Sequence, residues 1–90
     1  MEETIHLIIS GKVQGVFYRA SARDKAEEIG VFGWVKNTAA GDVEIIASGT
    51  EDRLQEFIQW CRQGPPDSVV TDVTVFDLPE LKFDRFTIHR

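Results

Sequence analysis

The spacing of apolar residues in this 90-residue chain switches back and forth between two values, and the order of the switches limits the fold more than any other feature. In "TIHLIIS" (4–10), Ile5, Leu7 and Ile9 alternate, as in a half-buried strand. Gly11 and Gly15 punctuate a loop. Tyr18, Ala22, Ala26 and Ile29 then recur at helical spacing over 18–29, with Gly30 as a C-terminal stop. "VFGWVKN" (31–37) reads as a second strand, "TAAGD" (38–42) as a turn and "VEIIASG" (43–49) as a third strand. Thr50 suits a helix N-cap, with Glu51 and Asp52 matching the positive end of the helix dipole. Leu54, Phe57, Ile58 and Cys61 make a clean amphipathic stripe, ended by Gly64 and the pair Pro65–Pro66. "VVTDVTVFDL" (69–78) alternates again, with Val69, Thr71, Val73 and Val75 expected on one side, and "FDRFTIHR" (83–90) gives a last short strand.

The resulting order is β-α-β-β-α-β with one further strand. Right-handed crossovers put both helices on the same face of the sheet. The expectation is an α/β (α+β) two-layer sandwich of the ferredoxin-like kind with an extra C-terminal strand and a mostly antiparallel sheet. Ninety residues form one domain, 1–90. A hydrophobic share of 42% suffices for a small core. No apolar run approaches the roughly 18 residues of a membrane span. The acidic start "MEETIHLIIS" lacks the basic flank and cleavage site of a signal peptide. The single cysteine forms no internal disulfide, so a cytoplasmic location is expected. No sticky surface helix is evident, which makes a monomer the expected state.

The net charge of −5 argues against a general nucleic-acid binder. Its distribution says more. No Asp or Glu lies between Thr4 and Arg23, where Lys12, Arg19 and Arg23 occur, nor between Val31 and Gly41, which holds Lys36. Two locally positive segments that meet in space make an anion site. One of them contains "GKVQGVFYR" (11–19), a glycine-bearing loop that leads from a strand into a helix start. The first amides of a helix have no intrahelical partner, and the dipole adds positive potential there. Glycines let successive N–H groups converge on an oxyanion, and an arginine supplies a forked cation. Gly11, Gly15, the amides from Gln14 through Val16, Phe17 and Tyr18 to Arg19, and the Arg19 side chain are the candidates. The Walker and Rossmann glycine patterns are both absent. On spacing alone, an anion cradle and a structural turn beside a solvated arginine remain open.

Two segments carry a resemblance. "ISGKVQGVFYR" has an aliphatic residue, then G-x-V-Q-G-V and an aromatic before arginine. "GWVKNTAAGDVEIIASG" (33–49) has glycine, aromatic, small apolar, basic and asparagine, followed by Gly41, Val43 and Gly49. Both resemble the signatures of the acylphosphatase family. "GPPDSVV" (64–70) and "FTIHR" sit where that family has similar segments, so the resemblance covers nearly the whole chain. Tyr18 replaces the Phe of many members and Ser68 a common Ala, and neither bears on the chemistry. The resemblance implies hydrolysis of acyl phosphates, the mixed anhydrides of carboxylic and phosphoric acids, to carboxylate and inorganic phosphate, with no metal and no cofactor. It implies that the loop amides and Arg19 hold the phosphoryl group, that Asn37 positions the attacking water, and that Thr38 supports Asn37 through its hydroxyl. The carboxylate leaving group needs little acid catalysis, so orientation and charge stabilisation are what remain.

The rival sites are bland. Cys61 falls in a helix stripe and reads as core. His6 and His89 lie on different strands and read as packing or solvated residues, so a zinc site would need carboxylates as well. Trp34 and Trp60 read as core or core-edge aromatics. Asn37 alone would be an ordinary turn residue. Two other classes of function fit the fold. An RNA-binding module would need a basic sheet face with exposed aromatics, which an acidic chain without an aromatic in its first strand does not offer. A phosphate-sensing domain without turnover would have no use for Asn37. No membrane or nucleic-acid partner is expected.

Overall fold

A computed structural model describes residues 2–90. The elements follow the expected order: β1 (Glu2–Lys12), α1 (Tyr18–Ile29), β2 (Phe32–Asn37), β3 (Val43–Thr50), α2 (Glu51–Gln63), β4 (Val69–Leu78) and β5 (Phe86–Ile88). The five strands form one sheet in the order β4-β1-β3-β2-β5. β1 pairs antiparallel with β3 and β4, and β2 with β3, while β5 runs parallel to β2. This is the ferredoxin-like arrangement with an added edge strand. Among the described residues, no helix is long and apolar enough to cross a membrane.

Both helices pack on one face, and the alternating residues of the central strands meet them. Ile5, Leu7 and Ile9 from β1, Val43, Ile45 and Ala47 from β3, and Val35 from β2 are buried against Tyr18, Ala22 and Ala26 of α1 and against the α2 stripe of Leu54, Phe57, Ile58 and Cys61. Period two in the strands and 3.6 in the helices therefore converge on one core. Gly30 closes α1 with φ 93°, its N–H donating to the Ala26 carbonyl. Gly64 closes α2 with φ 70°, its N–H donating to Trp60. Thr50 stands at the α2 N-cap without a side-chain capping bond, and the first turn of α2 carries Glu51 and Asp52.

Three expectations need correction. The alternation read across β4 breaks at a bulge. Ser10 faces Asp72 but Gly11 faces Val70, so Thr71 is an extra residue in β4. Val73 is buried, but below the bulge Val70 rather than Val69 packs on the core, and Val69 is exposed. Gly11 permits this, because a Cβ there (φ 122°) would stand 2.1 Å from the Val69 carbonyl oxygen. The last strand spans 86–88 rather than 83–90. The segment before it is instead tied to the helix-free side of the sheet, where the Leu81 N–H donates to Thr4 Oγ1 at 2.9 Å and Ser48 Oγ donates to the Leu81 carbonyl at 3.0 Å. Trp34 is half-buried on that helix-free side, stacked on His89 at 5.0 Å between ring centroids, and so lies outside the core. Trp60 packs against the core edge as expected.

The core holds two weak acids. The Tyr18 hydroxyl donates to the Cys61 carbonyl at 2.8 Å. Burial pushes the Cys61 thiol up to about 12 and moves the Tyr18 phenol well above its ordinary range. Both folded-state values are raised, so the stability tied to these protons is complete below the ordinary values of 9.0 and 10.0 and is lost as pH climbs past them. The urea midpoint is expected to fall steadily from about pH 9 upward, and to fall less steeply in Cys61→Ala. Equal slopes for the two proteins in a pH 7–11 series would refute the assignment.

Candidate active site

The loop after β1 reaches α1 through two left-handed residues, Gly15 (φ 76°) and Phe17 (φ 64°). Phe17 is the one described non-glycine residue with positive φ, and its side chain is 79% exposed. Side-chain packing therefore does not hold this backbone in place. A strained, exposed aromatic at a helix start costs on the order of 1 kcal/mol and marks a place where the direction of the main chain matters. The first α1 hydrogen bond runs from the Ser21 N–H to the Phe17 carbonyl at 3.0 Å. The amides just before Ser21 thus have no partner within the helix.

These amides open onto a cavity of about 690 Å³ lined by Gly15, Phe17, Arg19, Asn37, Ile88 and Arg90, among others. The topology explains why residues so far apart in sequence meet here. Asn37 shares the side of β2 that carries the buried Gly33 and Val35, at the strand end nearest the start of α1. β5 runs parallel beside it in the register Val35↔Ile88, which carries Ile88 and Arg90 to the same end. Arg19 Nη1 donates to the His89 carbonyl at 3.3 Å, so the guanidinium is tied to the residue that follows β5.

Of the residues expected at a site, Gly15, Phe17, Tyr18, Arg19 and Asn37 line the cavity. Tyr18 is almost wholly buried and contributes main chain rather than its ring. Val16 is a core residue. Gly11 lies in β1 against the β4 bulge, so its role is close backbone approach rather than contact with the cavity. The Gln14 carboxamide is committed elsewhere, donating from Nε2 to the Thr38 and Asp42 carbonyls, each at 2.9 Å. The Thr38 hydroxyl accepts from the Asp42 N–H at 3.1 Å and so braces the turn rather than the Asn37 side chain. Lys36, from the second positive segment, points to the helix-free side, 3.6 Å from Glu44 and 5.5 Å from the centre of the Trp34 ring. His6 also faces Glu44 there, at 2.7 Å.

One atom stands apart. Asn37 Oδ1 is buried and accepts no hydrogen bond from any described residue. Buried acceptors are rarely left this way, because stranding one costs about 1–3 kcal/mol. Asn37 lines a cavity that also holds the Arg19 guanidinium, so a small shift of its carboxamide would let this oxygen accept from a water or a ligand there. Arg90 is the one lining cation that the sequence reading missed. The alternation Phe86, Ile88, Arg90 carries the signal, but it is usable only once β5 is known to pair with β2.

A family model described as Acylphosphatase matches residues 5–88. An acylphosphatase of Marinobacter nauticus is 50% identical over 74 residues, covering 82% of this chain and 80% of the relative. A solved acylphosphatase structure from Coxiella burnetii superposes with a TM-score of 0.95 at 42% identity, covering 98% of this chain and 93% of that one. One from Bacillus subtilis superposes with a TM-score of 0.94 at 38% identity, with both chains fully covered.

Proposed function

Since the chain belongs to the acylphosphatase family and is an enzyme hydrolysing acyl phosphates to carboxylate and inorganic phosphate, we propose that it does so through the loop amides, Arg19 and Asn37 gathered at this one cavity. The amides from Gly15 to Arg19 and the Arg19 fork hold the phosphoryl oxygens. Arg19 keeps its aim through the His89 carbonyl. The observation that carries the reading is the unpartnered Asn37 Oδ1, which accepts one O–H of the attacking water and directs the water's lone pair at phosphorus. The new P–O bond forms as the bond to the acyl oxygen breaks. The electron pair leaves with the carboxylate, and a phosphoryl oxygen takes the proton from the water. Asn37 is too weak a base to remove that proton itself, so its contribution is orientation.

This division of labour works only for a good leaving group. Benzoyl phosphate is expected to release phosphate rapidly, whereas an unactivated alkyl phosphate monoester, whose leaving group needs protonation, is expected to be inert. Comparable rates for the two would show that an acid is at work and would overturn the scheme. No released phosphate from benzoyl phosphate would overturn the site as a whole.

The same reading takes residues 1–90 as a single-domain cytoplasmic monomer acting on small acyl phosphates, without nucleic acid, membrane, metal or cofactor. Among the described residues, no group of three or more His, Cys, Asp and Glu side chains converges to hold a metal. Turnover is therefore expected to survive exhaustive dialysis against EDTA unchanged. A large loss restored by one divalent ion would contradict it.

A further inference from the structure

The geometry points to Gln14 as a positioning residue, a strap that sets the distance between the phosphate cradle and the water held by Asn37. This rests on the roles proposed above for the cradle and for Asn37. The Gln14 carboxamide has two N–H bonds, and both are spent on one target, the turn between β2 and β3. They go to the Thr38 and Asp42 carbonyls, each at 2.9 Å. Those carbonyls are also the turn's own closing acceptors. The Thr38 N–H donates to the Asp42 carbonyl at 2.9 Å, and the Gly41 N–H donates to the Thr38 carbonyl at 3.2 Å. The side chain therefore seals a turn already closed from within, and ties it to the loop after β1.

The placement of the two ends gives the strap its meaning. Gln14 is the residue before Gly15 of the cradle, and Thr38 is the residue after Asn37. One side chain thus spans from the neighbour of the phosphate-holding group to the neighbour of the water-holding group. The Asn37 oxygen has no described partner to fix it, so its aim depends on the main chain at 37–38. The strap braces that main chain against the cradle. In-line attack tolerates little error between water and phosphorus, and a misplacement of about 1 Å costs roughly a hundredfold in rate.

The test combines two substitutions at Gln14 with an Asn37→Ala background. Gln14→Met keeps length and removes both donors. It is expected to lower kcat by roughly ten- to a hundredfold, while inhibition by inorganic phosphate and KM for benzoyl phosphate each change less than about threefold, because the cradle amides are untouched. In an Asn37→Ala background, Gln14→Met is expected to cost less than about twofold more, since a strap that acts through Asn37 has nothing left to position. Gln14→Glu sets carboxylate oxygens against two carbonyls and is expected to be worse than the methionine variant at neutral pH. It should recover relative to wild type as pH falls and the carboxyl regains one O–H donor.

Phosphate inhibition weakened in parallel with kcat would overturn the proposal, because Gln14 would then be acting on the cradle. An undiminished Gln14→Met effect in the Asn37→Ala background would also overturn it, leaving the water-holding role of Asn37 intact. Near-normal turnover by Asn37→Ala alone would overturn both. Failure of the methionine and glutamate variants to fold would make the two donations a requirement of the fold, and the positioning role would fall.

Discussion

Asn37→Ala is expected to remain folded, to bind phosphate nearly as wild type does, and to turn over acyl phosphates roughly a thousandfold more slowly. Each part has its own cause. The fold survives because Asn37 ends a strand whose ladder is main chain, and because its buried side-chain oxygen accepts no hydrogen bond from a described residue that alanine would break. Removing an unpartnered acceptor is close to neutral or mildly stabilising. Phosphate binding survives because the loop amides and Arg19 belong to other elements. Only the water loses its anchor, and orientation of a nucleophile is worth several kcal/mol. Asn37→Asp sharpens the comparison. It keeps the shape but puts a negative charge in the cavity, so phosphate inhibition is expected to weaken along with turnover. The measurements are kcat, the inhibition constant of inorganic phosphate, and thermal unfolding. A folded alanine variant with near-normal turnover would remove Asn37 from the chemistry.

The second large effect is at Arg19. Arg19→Lys keeps the charge, yet kcat/KM is expected to fall about a hundredfold, with phosphate inhibition weakened in parallel. A guanidinium has five N–H donors in a fixed plane. It can give one to the His89 carbonyl, at 3.3 Å here, and still present a fork to two phosphoryl oxygens. An ammonium on a shorter, freer stem keeps neither the plane nor the tether. The split between the two variants separates their roles. Lysine at 19 affects binding and rate together, whereas alanine at 37 affects rate alone. Inhibition by phosphate, measured beside initial rates, reads this directly. Unchanged phosphate affinity in Arg19→Lys would place the guanidinium outside the phosphoryl site.

Most of the architecture could be read from spacing alone because the core is built by residues that repeat at regular intervals. Leu54, Phe57, Ile58 and Cys61 are buried as a stripe, and Ile5, Leu7 and Ile9 as one strand face. What escaped the reading depends on pairing partners far away in the chain. Nothing local in "VVTDVTVFDL" announces a bulge. It arises where Gly11, almost sixty residues earlier, lets β4 come close. The shortness of β5 follows from Thr4 and Ser48 capturing Leu81, again a contact between remote segments. Likewise, the loop and Arg19 were visible as a local motif, and Asn37 through its resemblance to a family signature. The role of Gln14 as a bridge to the turn and the presence of Arg90 in the cavity depend on tertiary register.

The strand that walls the cavity on the Arg90 side is three residues long and lies at the sheet edge, paired only with β2. The strands behind the rest of the site are long and buried in the two-layer core. Short edge strands detach at a fraction of the free energy needed to unfold a domain. Phe86 pins the start of this strand in the core against Phe57, but His89 and Arg90 beyond it are exposed, and when that end frays Arg19 loses its carbonyl tether and Arg90 leaves the wall. Two separate lifetimes are therefore expected, one for being folded and a shorter one for being competent. Mild heat or denaturant is expected to reach the second first, so that activity falls before bulk probes of structure register unfolding.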